Sequence, residues 1–351
     1  MDLTMIVMWL GFFLASYSVV GNDVIQTLGT FLTSNEKTMK WWVLWLFSAT
    51  VLSAALINGY VNEDVAYGRL DKFREGLSTL NYSWYYLLPP LVLMTITRWG
   101  IPVSTTFMIL TLFSLSSVPT DLGSMLGSLV DTETKLGGMI EKSIFGYIVA
   151  FTSGAIIYLI ITRLTEKKFI DNPLSKRALP YWTVAQWLTT GFLWYQWLTQ
   201  DLANIYVYLR GGFEMSAFEF AISLLILVGL LGYIFYQRGG AVQEVVRSKT
   251  NTADIRAATF IDFIYAIILM VFKGSTFFGI GFSFPWTGNL PMSTTWVFIG
   301  LLAGREIGMR LNLERKITKK ISKMVFADLG KVFFGLLVSV VLVFIIKLLA
   351  G

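Results

Sequence analysis

Two acids and six hydroxyl residues recur at matched spacing in an otherwise apolar chain. Asp23 sits in Gly21-Asn22-Asp23-Val24 and Asp201 in Gln200-Asp201-Leu202-Ala203. Each is followed by a proline-led Ser-Thr-Thr: Pro102-Val103-Ser104-Thr105-Thr106, then Pro291-Met292-Ser293-Thr294-Thr295. The acids are 178 residues apart and the serines 189, the pattern of one unit present twice. Proline at the first turn of a helix loses no hydrogen bond, so Pro102 and Pro291 predict helix starts. A helix start offers N–H groups without intrahelical partners and the positive end of the helix dipole. With three hydroxyls beside it, such an end suits an oxyanion. A lone Ser or Thr in a membrane helix usually bonds its own backbone or a neighbouring helix. Recurrence at equivalent positions favours a shared binding role.

An acid at membrane depth costs roughly 2.5–3.5 kcal/mol on insertion scales and marks a functional position by default. Carboxylate and amide oxygens are hard ligands suited to Na⁺, and an Asp can also carry a proton. Asn22, Gln26, Gln200 and Asn204 supply amides beside the acids; 22 and 26 share a helix face, as do 200 and 204. The alternative, a structural Asp paired with a base, finds no Lys or Arg close by in either segment. Asp262, in another apolar stretch, is a further acid that could join the site or serve helix packing. Arg305 and Glu306 are expected at the membrane interface, and Asp328 with Lys331 as an i,i+3 pair.

Composition agrees with membrane depth. The chain is 55% hydrophobic, 15% aromatic and 14% charged, against about 25% charged in soluble domains. Apolar stretches are about as long as the roughly 20 residues a spanning helix needs, so a barrel of short alternating strands is not expected. The predicted fold is an all-α integral membrane protein. There is no histidine to carry a proton and no cysteine. Met1-Asp2-Leu3-Thr4 lacks the basic region of a signal peptide, so the first segment is expected to remain as a helix. The basic residues fall in loops, which does not suggest nucleic acid. Aromatics such as Trp41, Trp42, Tyr181 and Trp182 at segment ends read as interfacial anchors.

Ten crossings are expected, at about 4–34, 40–61, 82–98, 101–118 and 139–163, then 181–209, 214–237, 257–275, 290–309 and 325–349. The first repeat covers 1–165, a charged linker 166–180 carries Pro173 and Pro180, and the second repeat covers 181–351. Five crossings per copy make the copies opposite in topology, with broken or re-entrant helices at the motifs. The rival is an even number, with 82–118 a re-entrant hairpin. With the N-terminus outside, 19 loop cations fall inside and 6 outside, so both termini are predicted outside. The outer six are Arg69, Lys72, Arg74, Lys135, Arg210 and Lys273.

In these motifs the chain resembles the inorganic phosphate transporter (PiT) family of cation-coupled symporters. Gly21-Asn22-Asp23-Val24-Ile25-Gln26-Thr27-Leu28-Gly29-Thr30 and Gln200-Asp201-Leu202-Ala203-Asn204 are similar to that family's Gly-Ala-Asn-Asp-Val-Ala-Asn-Ala element, the second more weakly. Pro102–Thr106 and Pro291–Thr295 are similar to its Pro-Val-Ser-Thr-Thr-His. The likeness runs in order along nearly the whole chain. The family His after each Ser-Thr-Thr is Phe107 and Trp296 here, and two family Asn positions are Gln26 and Gln200. The resemblance implies an inverted-repeat fold, a homodimer and a moving substrate-bearing part. It also implies anion and Na⁺ sites shared between the halves, with no cofactor besides Na⁺ as coupling ion.

The leading expectation is Na⁺-driven import of phosphate through the inner cell membrane. Ser104, Thr105, Thr106, Ser293, Thr294 and Thr295, with Asp23 and Asp201, would form the substrate site. Asn22, Asp23, Gln26, Gln200, Asp201 and Asn204 would form the Na⁺ sites. Cations would offset repulsion between the carboxylates and the anion. Monohydrogen phosphate can donate a proton to a carboxylate and sulfate cannot, which favours phosphate. Sulfate or another oxyanion, proton coupling, and an anion channel or sensor are the alternatives. An enzyme, as a membrane aspartyl dyad, would leave both Ser-Thr-Thr motifs unexplained, and Asp201 follows Thr199-Gln200 where such proteases carry Gly-x-Gly.

Overall fold

The computed structural model describes residues 2–99, 103–116, 118–119, 121–162, 169, 171–238, 254–274, 276–277, 280–281, 290–313 and 319–350. Pro102, Arg163, Lys167, Lys168, Arg247, Lys249, Arg315, Lys316 and the Asp328 side chain lie outside the described residues. The first part of the chain forms α1 (Leu3–Asn35), α2 (Trp41–Val61), α3 (Arg74–Thr79), α4 (Leu88–Arg98), α5 (Thr105–Leu115), α6 (Leu122–Val130) and α7 (Lys135–Ile161). The second forms α8 (Leu179–Asp201), α9 (Ala203–Tyr206), α10 (Ala217–Tyr236), α11 (Ile255–Lys273), α12 (Thr294–Leu313) and α13 (Lys319–Ala350). A two-residue ladder, Thr276–Phe277 against Ile280–Gly281, is the only strand pairing among the described residues.

Among the described residues, six stretches are long and apolar enough to cross a membrane: Leu3–Val24, Trp41–Val61, Gly123–Ile160, Ala217–Tyr236, Ile255–Lys273 and Val325–Leu349. Leu188, Phe218, Leu225 and Leu348 point outward while Asn22, Asp23, Gln26, Asp201 and Asn204 are buried. That inside-out distribution suits a lipid surround, where a polar group must find its partners within the protein. Two expected crossings differ from expectation. The stretches 82–98 and 101–118 yield α4 and α5, each 11 residues and so about 16 Å long, half of a ~30 Å hydrocarbon layer. Pro89 and Pro90 near the start of α4 and the break before Ser104 account for the shortness.

The packing of the two motif helices is crossed. α5 lies against α13, and α12 lies along α7. The contact of α12 with α7 is backbone to backbone. Gly300, Gly304 and Gly308 recur every fourth residue and face the carbonyls of Tyr147, Phe151 and Ala155. A Cβ at Gly304 would lie 2.0 Å from the Phe151 carbonyl oxygen, so only glycine fits there; small residues at this spacing let membrane helices approach closely. α1 and α8 touch each other at the centre, and α1 packs on α10 as α8 packs on α2.

One local expectation is corrected. Pro291 stands three residues before α12 rather than in its first turn, because a serine caps each motif helix. Ser104 Oγ accepts from the Phe107 N–H at 3.2 Å, and Ser293 Oγ from the Trp296 N–H at 3.3 Å. Serine is a strong N-cap because its oxygen satisfies one orphan donor. Arg305 is buried and lies 5.2 Å from the Tyr158 ring centroid, and Glu306 pairs with Arg310 at 3.1 Å.

Candidate functional site

Asp23 sits in the middle of α1, a helix that runs unbroken past it. The broken helix expected at the motifs is therefore not found at this acid. Gln26 and Thr27 side chains bond back to the carbonyls of Asn22 and Asp23, at 3.3 and 3.2 Å, within the intact helix. Asp201 differs: α8 ends on it, α9 follows Leu202, and a tight 207–212 turn bends where Leu209, Arg210 and Gly211 leave helical angles.

Both acids are wholly buried, and each receives the first threonine of one motif. Thr105 Oγ1 donates to Asp23 Oδ2 in a short bond, and Thr294 Oγ1 donates to Asp201 Oδ2 at 2.5 Å. The second threonines cross over to the opposite motif. Thr106 Oγ1 shares its proton between Asp201 Oδ1 and the Met292 carbonyl, each at 3.3 Å. Thr295 Oγ1 donates to the Val103 carbonyl at 3.4 Å. Met292 and Val103 hold the same place in the two motifs, so the starts of α5 and α12 are joined by reciprocal bonds.

The amides complete the cluster. Asn22 Nδ2 donates to Asp23 Oδ1 at 2.7 Å and to the Val103 carbonyl at 2.8 Å. Asn204 Nδ2 donates to Asp201 Oδ1 at 2.8 Å and reaches Thr105 and Thr106 Oγ1, each at 3.2 Å. A bridge thus runs from Asp23 through Thr105 and Asn204 to Asp201. Gln26 Nε2 lies 3.4 Å from Asp23 Oδ1. Gln200 turns away and donates to the Leu269 carbonyl on α11 at 3.1 Å. The structure therefore gathers Asn22, Asp23, Gln26, Asp201, Asn204 and the four threonines, uses Ser104 and Ser293 as caps, and sends Gln200 outward.

Two oxygens stand out. Asn22 Oδ1 and Asn204 Oδ1 are buried with no hydrogen-bond partner among the described residues. A buried amide oxygen without a donor is costly, and each belongs to the residue that braces a carboxylate. With the carboxylates they form a hard, oxygen-only donor set of the kind that small cations take. The described residues hold no group of three His, Cys, Asp or Glu, the set expected of a transition metal.

Sequence reasoning missed a cationic element. Arg69 and Lys142 are both buried, and Arg69 Nη1 and Lys142 Nζ converge on the Leu290 carbonyl at 3.3 and 3.0 Å. Arg69, in the loop after α2, is covered by the fold and close enough to interact electrostatically with Asp201. Lys273 Nζ donates to the Tyr67 carbonyl close by. The signal available was Lys142 itself, a cation near the start of the apolar 139–163 stretch and far from its other cation, Arg163, at the end. Asp262 does not join the central site; it bonds Thr30 and Thr190.

The chain matches no protein-family model, no curated protein and no solved structure.

Proposed function

We propose that this protein is a secondary active symporter that imports inorganic phosphate with Na⁺ through two repeats of opposite topology. The observation that carries the reading is the pairing of each motif threonine with a central carboxylate, Thr105 with Asp23 and Thr294 with Asp201. An oxyanion at these helix starts needs the same hydroxyl donors that the carboxylates hold. A cation on Asp23 and Asp201, also bound by Asn22 Oδ1 and Asn204 Oδ1, competes with the hydroxyls for the carboxylate charge. Release of those hydroxyls supplies donors to the anion, beside the positive ends of α5 and α12. Cation and anion then bind together, which is the thermodynamic content of coupling.

The repeat reading is supported by the crossed packing of α5 on α13 and α12 on α7. It is also supported by the reciprocal bonds of Thr106 and Thr295. In this reading the ten segments include the half-length α4 and α5, and both termini lie outside. Arg69 and Lys142, behind Leu290, add positive potential on one flank of the site.

The test is uptake of radiolabelled phosphate and of sulfate into proteoliposomes, with an inward Na⁺ gradient and with K⁺ in its place. Phosphate accumulation that requires Na⁺ is expected. Accumulation of sulfate alone would reassign the anion, a proton gradient in place of Na⁺ would reassign the coupling ion, and uptake without accumulation would point to a channel.

A further inference from the structure

A third buried carboxylate lies off the central cluster. Asp262 on α11 is wholly buried, and each of its oxygens accepts one hydroxyl: Thr30 of α1 at Oδ1 and Thr190 of α8 at Oδ2, both at 2.6 Å. Asp262 makes no ion pair among the described residues. An ionised carboxylate held away from water needs more than two neutral donors to offset its desolvation.

Its place in the fold gives the missing charge a path. Residues 22, 26, 30 and 34 of α1 follow one another at four-residue steps and share one face. Gln26 reaches Asp23, Thr30 reaches Asp262, and Ser34 accepts from Gln186 Nε2 in a short bond. Gln186 lies one turn before Thr190 on α8, and its Oε1 accepts from Asn35 Nδ2 at 2.7 Å. Gln26, Thr30, Thr190, Gln186 and Asn35 are all buried. Ser34 and Asn35 then line a cavity of ≈ 540 Å³ with Thr38, Thr183 and Asp254. A polar line thus descends from Asp23 past Asp262, about 10 Å along α1, to a cavity at the Lys37 end of the molecule.

We propose that Asp262, with the hydroxyls of Thr30 and Thr190, is a second station for the coupling Na⁺ between the central carboxylates and this cavity. A carboxylate and two hydroxyl oxygens are hard donors for a small cation, and further amide oxygens follow on the way out. The cavity lies at the end predicted to be inside, so the station serves release. The proposal rests on the symport reading for its direction, but the cation site itself does not depend on which anion is carried.

The test is exchange of radiolabelled Na⁺ at equal Na⁺ on both sides of proteoliposomes holding the full chain, together with Na⁺-dependent phosphate binding in detergent. Asp262→Asn is expected to slow exchange by about tenfold or more while phosphate binding stays within about threefold of the parent. Thr30→Val and Thr190→Val keep shape and carboxylate; each is expected to slow exchange several-fold, and they carry the test where the Asn variant does not fold. Exchange within about twofold of the parent in all variants that fold would overturn the station. So would proton flux without Na⁺ exchange in the parent. Asp262-dependent Na⁺ exchange in a protein that binds neither phosphate nor sulfate would sink the symport reading and leave the station standing.

Discussion

Phe107 and Trp296 meet edge to face, with ring centroids 5.4 Å apart and planes at 61°. Each follows a Ser-Thr-Thr and occupies the third position of its motif helix. Both are fully buried. The two helix starts are therefore held rim to rim by an aromatic contact worth about 0.5–1.5 kcal/mol beyond its buried area. Where the PiT resemblance implies a pair of imidazoles, this chain has a dry pair that cannot take up a proton.

Phe107→His tests that difference. The variant is expected to acquire a step in the pH dependence of anion uptake on the acid side of about pH 6.5, with uptake rising as pH falls and the imidazole becomes cationic. The parent is expected to lack this step. Identical pH profiles for parent and variant between pH 5 and pH 8 would show that the 107 position has no electrostatic hold on the anion.

Asp201→Asn removes one charge and keeps the shape of the side chain. Na⁺-coupled uptake is expected to fall by at least about a hundredfold, because the variant loses the ionic partner of the cation and not only a hydrogen bond. Elution as a single species with an unchanged melting point would attribute the loss to the site. Full Na⁺-dependent uptake would remove Asp201 from the mechanism.

Thr105→Val and Thr294→Val delete matched hydroxyls. A hydrogen bond to a charged group contributes about 1.5–3 kcal/mol, so each variant is expected to raise the KM for the anion by roughly tenfold or more. The two variants should agree with each other within a few-fold. Ser104→Ala, which removes a helix cap, is expected to lower the melting point through a loss of about 1 kcal/mol with a smaller change in KM. The reverse ordering of these effects would assign the serines to the anion and the threonines to the scaffold.

Lys142→Met tests the missed cation. With its charge gone but its packing kept, anion KM is expected to rise several-fold while Na⁺ affinity rises or stays level. A parallel loss of Na⁺ affinity would mark Lys142 as part of the scaffold alone.

Gly304→Leu forces a branched side chain against the Phe151 carbonyl. Overpacking of this kind costs about 1–3 kcal/mol or more, so the variant is expected to lose thermal stability even though residue 304 lies about 15 Å along α12 from Thr294. A melting temperature equal to that of the parent would mean that α7 and α12 can part without consequence.

Much of the central site was legible because its residue types are conspicuous against an apolar background. Asp23 and Asp201 stand out by membrane cost, and the two Ser-Thr-Thr runs by repetition. The partners within the site were not legible. Nothing local tells that Thr106 reaches Met292 or that Gln200 turns to Leu269, since these bonds join residues tens to nearly two hundred positions apart. Arg69 was hidden because a cation in a short loop reads as solvated until a fold covers it. The half-length α4 and α5 entered only through the rival reading of 82–118 as a re-entrant hairpin, because apolar composition runs through Pro89 and Pro90 and up to Ser104; periodicity reports a face and not a length. Serine as cap rather than ligand follows only once the helix start is located.

The crossed packing sets an order on how the protein can be made. α5, which carries the first motif, rests on α13, and about 200 residues separate Leu115 from Lys319. At roughly 5–20 residues per second of synthesis, α5 waits on the order of 10–40 s for the surface that holds it. For the first part of that interval Thr106 has neither Asp201 nor the Met292 carbonyl to bond, and through all of it the first half must reside in the bilayer with an open seam. A ribosome that stops before residue 319 leaves a chain whose motif helix has no seat. Quality control could read that seam as the mark of an unfinished protein.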